Sequence, residues 1–236
     1  MAKVEHLRAR ASMEAVQQTS NPIRLLTLSL QIKDSLEEAL RLDPENVQVR
    51  LDLVRFHVVA PRFIGGGVDE ARALAREIAA RDAALGAFAH GYIAYREKEY
   101  GPARRELRKA VRIARDAETE ALALKWLGWL SQETQQWDEA FAVFDTLQAS
   151  DASARYEIGR TAAFCACRLE RGKSALAEYI AGKRGREMPS LAMARYQLGL
   201  VLEKLGERAA ARRELEQAWR LDRKIAGLKD ARERLR

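Results

Sequence analysis

The sequence predicts an all-α protein built as an α–α superhelix, a solenoid of stacked helix pairs. Three observations lead there. Ala, Leu, Arg and Glu, all strong helix formers, dominate the chain. Its five prolines fall where helices are expected to end. Three segments also align in register: "AHGYIAYREKEYGPARRELRKAV" (89–111), "WLGWLSQETQQWDEAFAVFDTL" (126–147) and "QLGLVLEKLGERAAARRELEQAW" (197–219). Each has a glycine early in a helix, a short turn, an alanine, and a bulky apolar residue four places later. Recurrence at a fixed period marks a repeat array.

In chain order, a first helix is expected over residues 3–18, ended by the Asn-Pro turn of "TSNP". In "LDPENVQVR" (42–50), Pro44 ends one helix and opens the next. Pro61 stops the helix of "VRLDLVRFHVVA", because the residue before a proline is pushed out of the α region. The stretch "PRFIGGGVDEA" (61–71) follows as an elongated inter-helix turn, its glycines Gly65 to Gly67 permitting positive φ, and the next helix begins near Asp69. "LDRK" (221–224) repeats the closing turn, with Arg223 in the proline's place. The tail "AGLKDARERLR" reads as a polar capping helix over about 224–236.

The aligned segments resemble the tetratricopeptide repeat (TPR), a helix–turn–helix of about 34 residues. Its pattern of small, small, bulky and small residues is met by Gly91, Ala103, Leu107 and Ala110, and again by Gly199, Ala211, Leu215 and Ala218. Gly128, Ala140 and Phe144 fit, and Leu147 departs. In the fifth pair Gly159 fits, while Ala175 and Tyr179 take the second and third places only after about four extra residues. The glycine-rich joint together with "EIGRTAAFCACRLERG" also resembles a group of uncharacterised bacterial repeat proteins, several of them exported. The resemblance implies one array domain over 1–236, with a half-repeat at the start and five to six helix pairs in all.

Enzymatic chemistry finds no constellation to rest on. Phosphate-binding loops follow their glycines with Lys and Ser/Thr; here Val68, Asp69 and Glu70 follow, and the two acids repel phosphate. His6, His57 and His90 are scattered, His90 at a packing position, so no catalytic or metal-binding residue and no cofactor is expected. Cys165 and Cys167, two residues apart on a helix, would point about 200° apart, so a mutual disulfide is not expected and at least one should pack in the core. Net charge is +7, yet residues 116–152 carry −7 between two basic segments. A nucleic-acid array using the basic stripe at 104–115 (Arg104, Arg108, Arg112, Arg115) is therefore the alternative, and a solvated face the plainer reading.

Arrays of this kind bind protein segments on the concave face lined by the first helix of each pair. Repeat positions 2, 5, 9 and 12 place Phe88, Tyr92, Tyr95, Lys125, Trp129, Gln132, Tyr156, Arg160 and Tyr196 there. Aromatics with Lys125 and Arg160 between them suit an apolar and acidic peptide. Some family members clamp a chaperone's C-terminal carboxylate with Lys and Asn; the only asparagines, Asn21 and Asn46, sit at turns, so that activity is not carried over. No apolar run is long enough to span a membrane. The charged N-terminus has no signal-peptide core; as it stands the chain reads as cytoplasmic, and a removed leader would make it periplasmic.

Overall fold

Short polar residues start the helices. Asn21 accepts hydrogen bonds from the backbone N–H groups of Ile23 and Arg24, and Pro22 occupies the first turn. Asn46, Asp82 and Ser190 cap later helices in the same way, through Val49, through Ala84 and Leu85, and through Met193. The computed structural model describes residues 1–17, 19–182 and 188–235. The helices are α1 (Ala2–Gln17), α2 (Pro22–Leu42), α3 (Val47–Val59), α4 (Val68–Arg81), α5 (Ala83–Arg96), α6 (Tyr100–Ile113) and α7 (Ala117–Glu133). They continue with α8 (Trp137–Leu147), α9 (Ser153–Cys165), α10 (Leu169–Ala181), α11 (Leu191–Lys204), α12 (Arg208–Leu221) and α13 (Leu228–Arg234). No strand occurs among the described residues. The expected first helix stands at α1; Gln18 lies outside the described residues.

The chain forms two compact units, Met1–Ala123 and Leu124–Arg236, whose boundary falls within α7. In the first, α1 pairs with α2, α3 with α4 and α5 with α6. The expected half-repeat at the start is thus a whole pair, tied on by a 2.8 Å contact from His6 Nε2 to Asp52 Oδ2 of α3. Ala9, Ile32, Leu36, Val49, Leu53, Phe56 and Ile64 form a shared core. In the second unit α9 pairs with α10 and α11 with α12. There α7 meets α8 through Gly128 against Phe144 and through Ser131 Oγ, which donates to Glu139 at 2.7 Å.

Three pairs are geometric copies. Lys98, Gln135 and Gly206 end α5, α7 and α11 in the left-handed region, with φ of 63°, 56° and 81°. In each, a backbone N–H reaches back to the same helical carbonyl: Glu99 to Ala94, Gln136 to Ser131, and Glu207 to Leu202, at 2.7–2.9 Å. A Cβ on Gly91, Gly128 or Gly199 would lie 2.9, 2.4 or 2.5 Å from Leu107, Phe144 or Leu215. The glycine therefore makes room chiefly for the bulky residue of the second helix, with its small residue one turn away. A left-handed L-residue costs about 1–2 kcal/mol, and glycine's own chain entropy about 0.5–1 kcal/mol. Lys98→Gly and Gln135→Gly are each expected to stabilise by about 0.5–1 kcal/mol in urea melts; a loss of stability would show that these turns carry no strain to relieve.

The fifth pair departs from expectation twice. Gly159 lies against Leu176, a Cβ there coming within 2.1 Å, and Gly172 against Ala162, within 2.3 Å. Gly172 and Leu176, not Ala175 and Tyr179, thus hold the small and bulky places, and the insertion is one residue, not four. The two cysteines are also joined: Cys165 and Cys167 form a disulfide with their Cα atoms 5.1 Å apart. The helical-spacing argument fails because α9 ends at Cys165 and Ala166 is left-handed (φ 54°), so the chain reverses and brings the two side chains together. Arg168 is left-handed as well (φ 49°), and together the two residues absorb the extra one.

The C-terminal cap is amphipathic rather than purely polar. Leu228, Ala231 and Leu235 are buried, while Arg232 lies 4.4 Å over the Trp219 ring and bonds Glu216. Arg234 donates to Glu203 through Nε and Nη2. Arg236, the end of the expected cap, lies outside the described residues.

Candidate functional site

In the first unit the expected groove residues lie on α5. Phe88 is fully buried and Tyr92 nearly so, their rings stacked 6.4 Å apart with the Arg55 guanidinium 6.0 Å from the Phe88 ring. Burial pushes the Tyr92 hydroxyl up against the opposing pull of Arg96 and Arg55. These two rings act as core. Tyr95 is half-buried beside Tyr100, ring centres 6.3 Å apart, and of the three it is the one that reaches solvent.

In the second unit a carboxylate organises the face. Glu157, buried on α9, accepts from Trp129 Nε1 at 3.1 Å, from Gln132 Nε2 at 3.2 Å and from Arg160 Nη1 at 3.0 Å. The Gln132 amide N–H groups also reach Thr161 Oγ1 at 2.8 Å, and Thr161 donates to the Glu157 carbonyl at 2.7 Å. The Glu157 carbonyl also lies 3.3 Å from Gln132 Nε2, so three acceptors surround one NH₂, and the Gln132 carbonyl oxygen is the atom left without a partner. Trp129 and Arg160 are half-exposed, so their outer parts face solvent while their donors are held. Arg160 also covers the ring of Phe164 at 5.0 Å, and Phe164 is 49% exposed.

The remaining expected residues surround this network unequally. Tyr156 is buried, its ring 5.8 Å from Tyr179. Burial, then the adjacent Glu157 charge, push its hydroxyl up to about 12, with Gln197 hydrogen-bonded to it. Lys125 pairs with Asp151 at 2.7 Å. Burial raises the Asp151 carboxyl, but bonds from Lys125 and Ser153 outweigh that and hold it below its ordinary range. Tyr196 is half-buried, and a Cβ on Gly227 would lie 2.8 Å from its hydroxyl, so the turn into α13 covers part of it. Gln132 is buried too. Glu157 and Phe164 were not expected at this site. A lone carboxylate inside "RYEIGRTAAF" on a core-facing position was the available signal for the first.

The glycine-rich stretch is a closed joint. Its three N–H groups are spent inside: Gly65 on Arg62 O at 2.9 Å, Gly66 on Pro61 O at 3.1 Å, and Gly67 on His57 O at 2.9 Å. His57 Nδ1 donates to the Gly65 carbonyl at 2.9 Å, which fixes the tautomer and ties the loop to α3. Of these three glycines only Gly65 needs positive φ (94°). None of the three glycine N–H groups is therefore left to cradle a phosphate, and the first turn of α4 brings Asp69 and Glu70 instead. The basic stripe is shorter than expected, since α6 ends at Ile113 and leaves Arg115 beyond the helix. Among the described residues no group of three or more His, Cys, Asp or Glu side chains could hold a metal, and no helix is long and apolar enough to cross a membrane.

Comparison with known proteins agrees with this geometry. A family model, Tetratricopeptide repeat, matches residues 193–225, the sixth pair and its closing turn. No curated protein matches the chain. Among solved structures, PilW, a widely conserved type IV pilus biogenesis factor, has 18% identity and a TM-score of 0.65, with 96% of this chain and 97% of that one covered. PilF of Pseudomonas aeruginosa has 16% identity and a TM-score of 0.63, with 98% of each chain covered. YrrB, a TPR protein with an unusual peptide-binding site, has 17% identity and a TM-score of 0.58 over 84% of this chain and 97% of that one. At these identities the likeness is one of fold, and it does not reach the narrower bacterial group with a glycine-rich joint. With the repeat recurring in both units, the family model matched in the last pair and the same fold in these structures, the chain carries a tetratricopeptide repeat at 193–225 and has the α–α solenoid fold of tetratricopeptide-repeat proteins.

Proposed function

We propose that the chain is a non-enzymatic adaptor that holds a peptide or protein segment against the first-helix face of the second unit. One observation carries the reading: Glu157 holds Trp129, Gln132 and Arg160, from two neighbouring helices, in one fixed arrangement. Side chains already ordered lose little entropy when a partner arrives, and Trp, Tyr and Arg are the types that dominate binding energy. Arg160 with Phe164, and Trp129 with Lys125 one turn before it, present aromatic surface beside two cations, paired with Glu157 and Asp151, that an acidic side chain of a partner could share. The fitting ligand is a segment with alternating apolar and acidic side chains. YrrB, with its peptide-binding site on the same fold, supports the reading.

The test begins with peptides selected from a displayed random library on the intact chain. Their affinity is then measured by fluorescence anisotropy for Trp129→Ala and Arg160→Glu. Each substitution is expected to weaken binding by about tenfold or more, as for a hot-spot residue, with the helical signal unchanged. Unaltered affinity in both folded variants would rule this face out.

A further inference from the structure

The first unit carries a second, chemically different recess. Residues of α1, α2, α3 and the turn before α4 line a groove of about 710 Å³. Its walls are almost wholly apolar, with Met13 and Val16 on one side, Leu25 and Leu26 on another, and Phe56 and Phe63 closing it. Phe63 stands on the glycine-rich joint and is 82% exposed. An aromatic ring held in water by a joint whose backbone bonds are all internal is not explained by packing. Beside the groove, Ile23, Leu26 and Leu30 of α2 are exposed at 76%, 41% and 44%. Their three-then-four spacing is that of a helix seam, a row that packs against another helix.

On two of the groove's walls, α2 and α3 with its joint, the charge is of one sign, while α1 carries the exposed Glu14 between Met13 and Val16. From Ala15 to Lys33 and again from Leu53 to Val68 the sequence contains no Asp or Glu, while Arg24, Lys33, Arg55 and Arg62 fall in these two wall segments. Arg55 lines the groove, and Arg24 and Arg62 are exposed. Asp52, the nearest acid in sequence to Arg55, is already shared between Arg55 and His6.

We propose that this groove docks an amphipathic helix of a partner protein, one whose apolar stripe is flanked by Asp and Glu. The seam on α2 fits a helix, and an all-helical surface offers no sheet edge for an extended strand to join. The basic walls fit acidic flanks. A second copy of this chain would bring Arg24 and Arg62 against their own kind. A bilayer surface would leave the groove floor, where Ile32 and Phe56 lie buried, out of reach. The site is separate from the face of the second unit, and its test uses different variants.

The probes are two labelled amphipathic peptides of about 18 residues, five helical turns, with identical Leu/Ile/Phe stripes. One has Glu and the other Lys beside the stripe. On the intact chain the Glu peptide is expected to bind about tenfold more tightly than the Lys peptide at low salt, with the gap narrowing as salt rises. Phe63→Ser and Leu26→Glu should each remove that binding, and Gly101→Ala, on α6 and outside both surfaces, should leave it intact. Equal binding of the two peptides, or no binding of either, would overturn the proposal. So would flotation with phosphatidylglycerol vesicles, or a concentration-dependent dimer, that is lost in Leu26→Glu while the Glu peptide shows no preference; these would assign the groove to lipid or to a second copy. Phe63 is exposed enough for its substitution to leave the fold in place, and circular dichroism checks that it does.

Discussion

Glu157→Ala is expected to destabilise the chain by about 2–4 kcal/mol, read as a lower midpoint in urea with an unchanged slope. The carboxylate accepts from Trp129 Nε1, Gln132 Nε2 and Arg160 Nη1, and Glu157 and Gln132 are both buried. Alanine leaves those donors in a space that water does not fill freely, and a buried donor without a partner costs about 1–3 kcal/mol. The loss is not the net worth of the network, since burying the carboxylate itself is costly. Glu157→Gln keeps the volume and one acceptor oxygen and should lose less. The same variants should change tryptophan emission, because the Trp129 indole loses its anchor. A loss under about 0.5 kcal/mol for Glu157→Ala would mean that solvent already reaches these groups, and with it the case for a fixed binding face would weaken.

Gly66→Ala is expected to cost about 3 kcal/mol or more, an effect at the upper end for a single added methyl group. Its Cβ would stand 1.7 Å from the Ala60 carbonyl oxygen, a backbone atom at the end of α3 that no rotamer change can move aside. Relief requires the joint to swing away, which breaks the bonds from Gly66 to Pro61 and from Gly67 to His57. Gly101→Ala is the control. That glycine lies in the first turn of α6 with nothing nearer to an added Cβ than Arg105 Nη1 at 3.9 Å. Alanine there should stabilise by about 0.5–1 kcal/mol through backbone entropy alone. If both substitutions give the same small change, the joint does not hold this conformation in solution.

The two substitutions mark different depths of legibility. Gly66 belongs to a feature that local rules read well. Pro61 ends α3, an elongated turn follows and α4 starts at Val68, one residue from the expected place. The regular repeats were legible for the same reason: glycine, turn and alanine recur at constant spacing, and their left-handed residues and backbone bonds recur with them. Glu157 was not legible as an organiser. Its three donors come from α7 and from its own helix, and those from α7 meet it only when helices 25 to 28 residues apart in sequence are packed side by side.

Burial divided the expected site in the same way. Periodicity puts Phe88, Tyr92, Tyr95, Trp129, Tyr156 and Tyr196 on one helical stripe, yet it cannot say how closely the next helix covers that stripe. Packing buries Phe88, Tyr92 and Tyr156 and leaves Tyr95, Trp129 and Tyr196 partly open. Nor could helical spacing foresee that α9 ends at Cys165 and that a left-handed Ala166 folds Cys167 back onto it. By itself, then, the sequence determined the helices, their joints and the repeat, because these follow from backbone preferences and spacings within one or two turns. Tertiary structure alone decided the cysteine pairing, the one-residue slip in the fifth pair, the buried Glu157 and the basic apolar groove, because each depends on which surfaces of separate helices exclude water from one another.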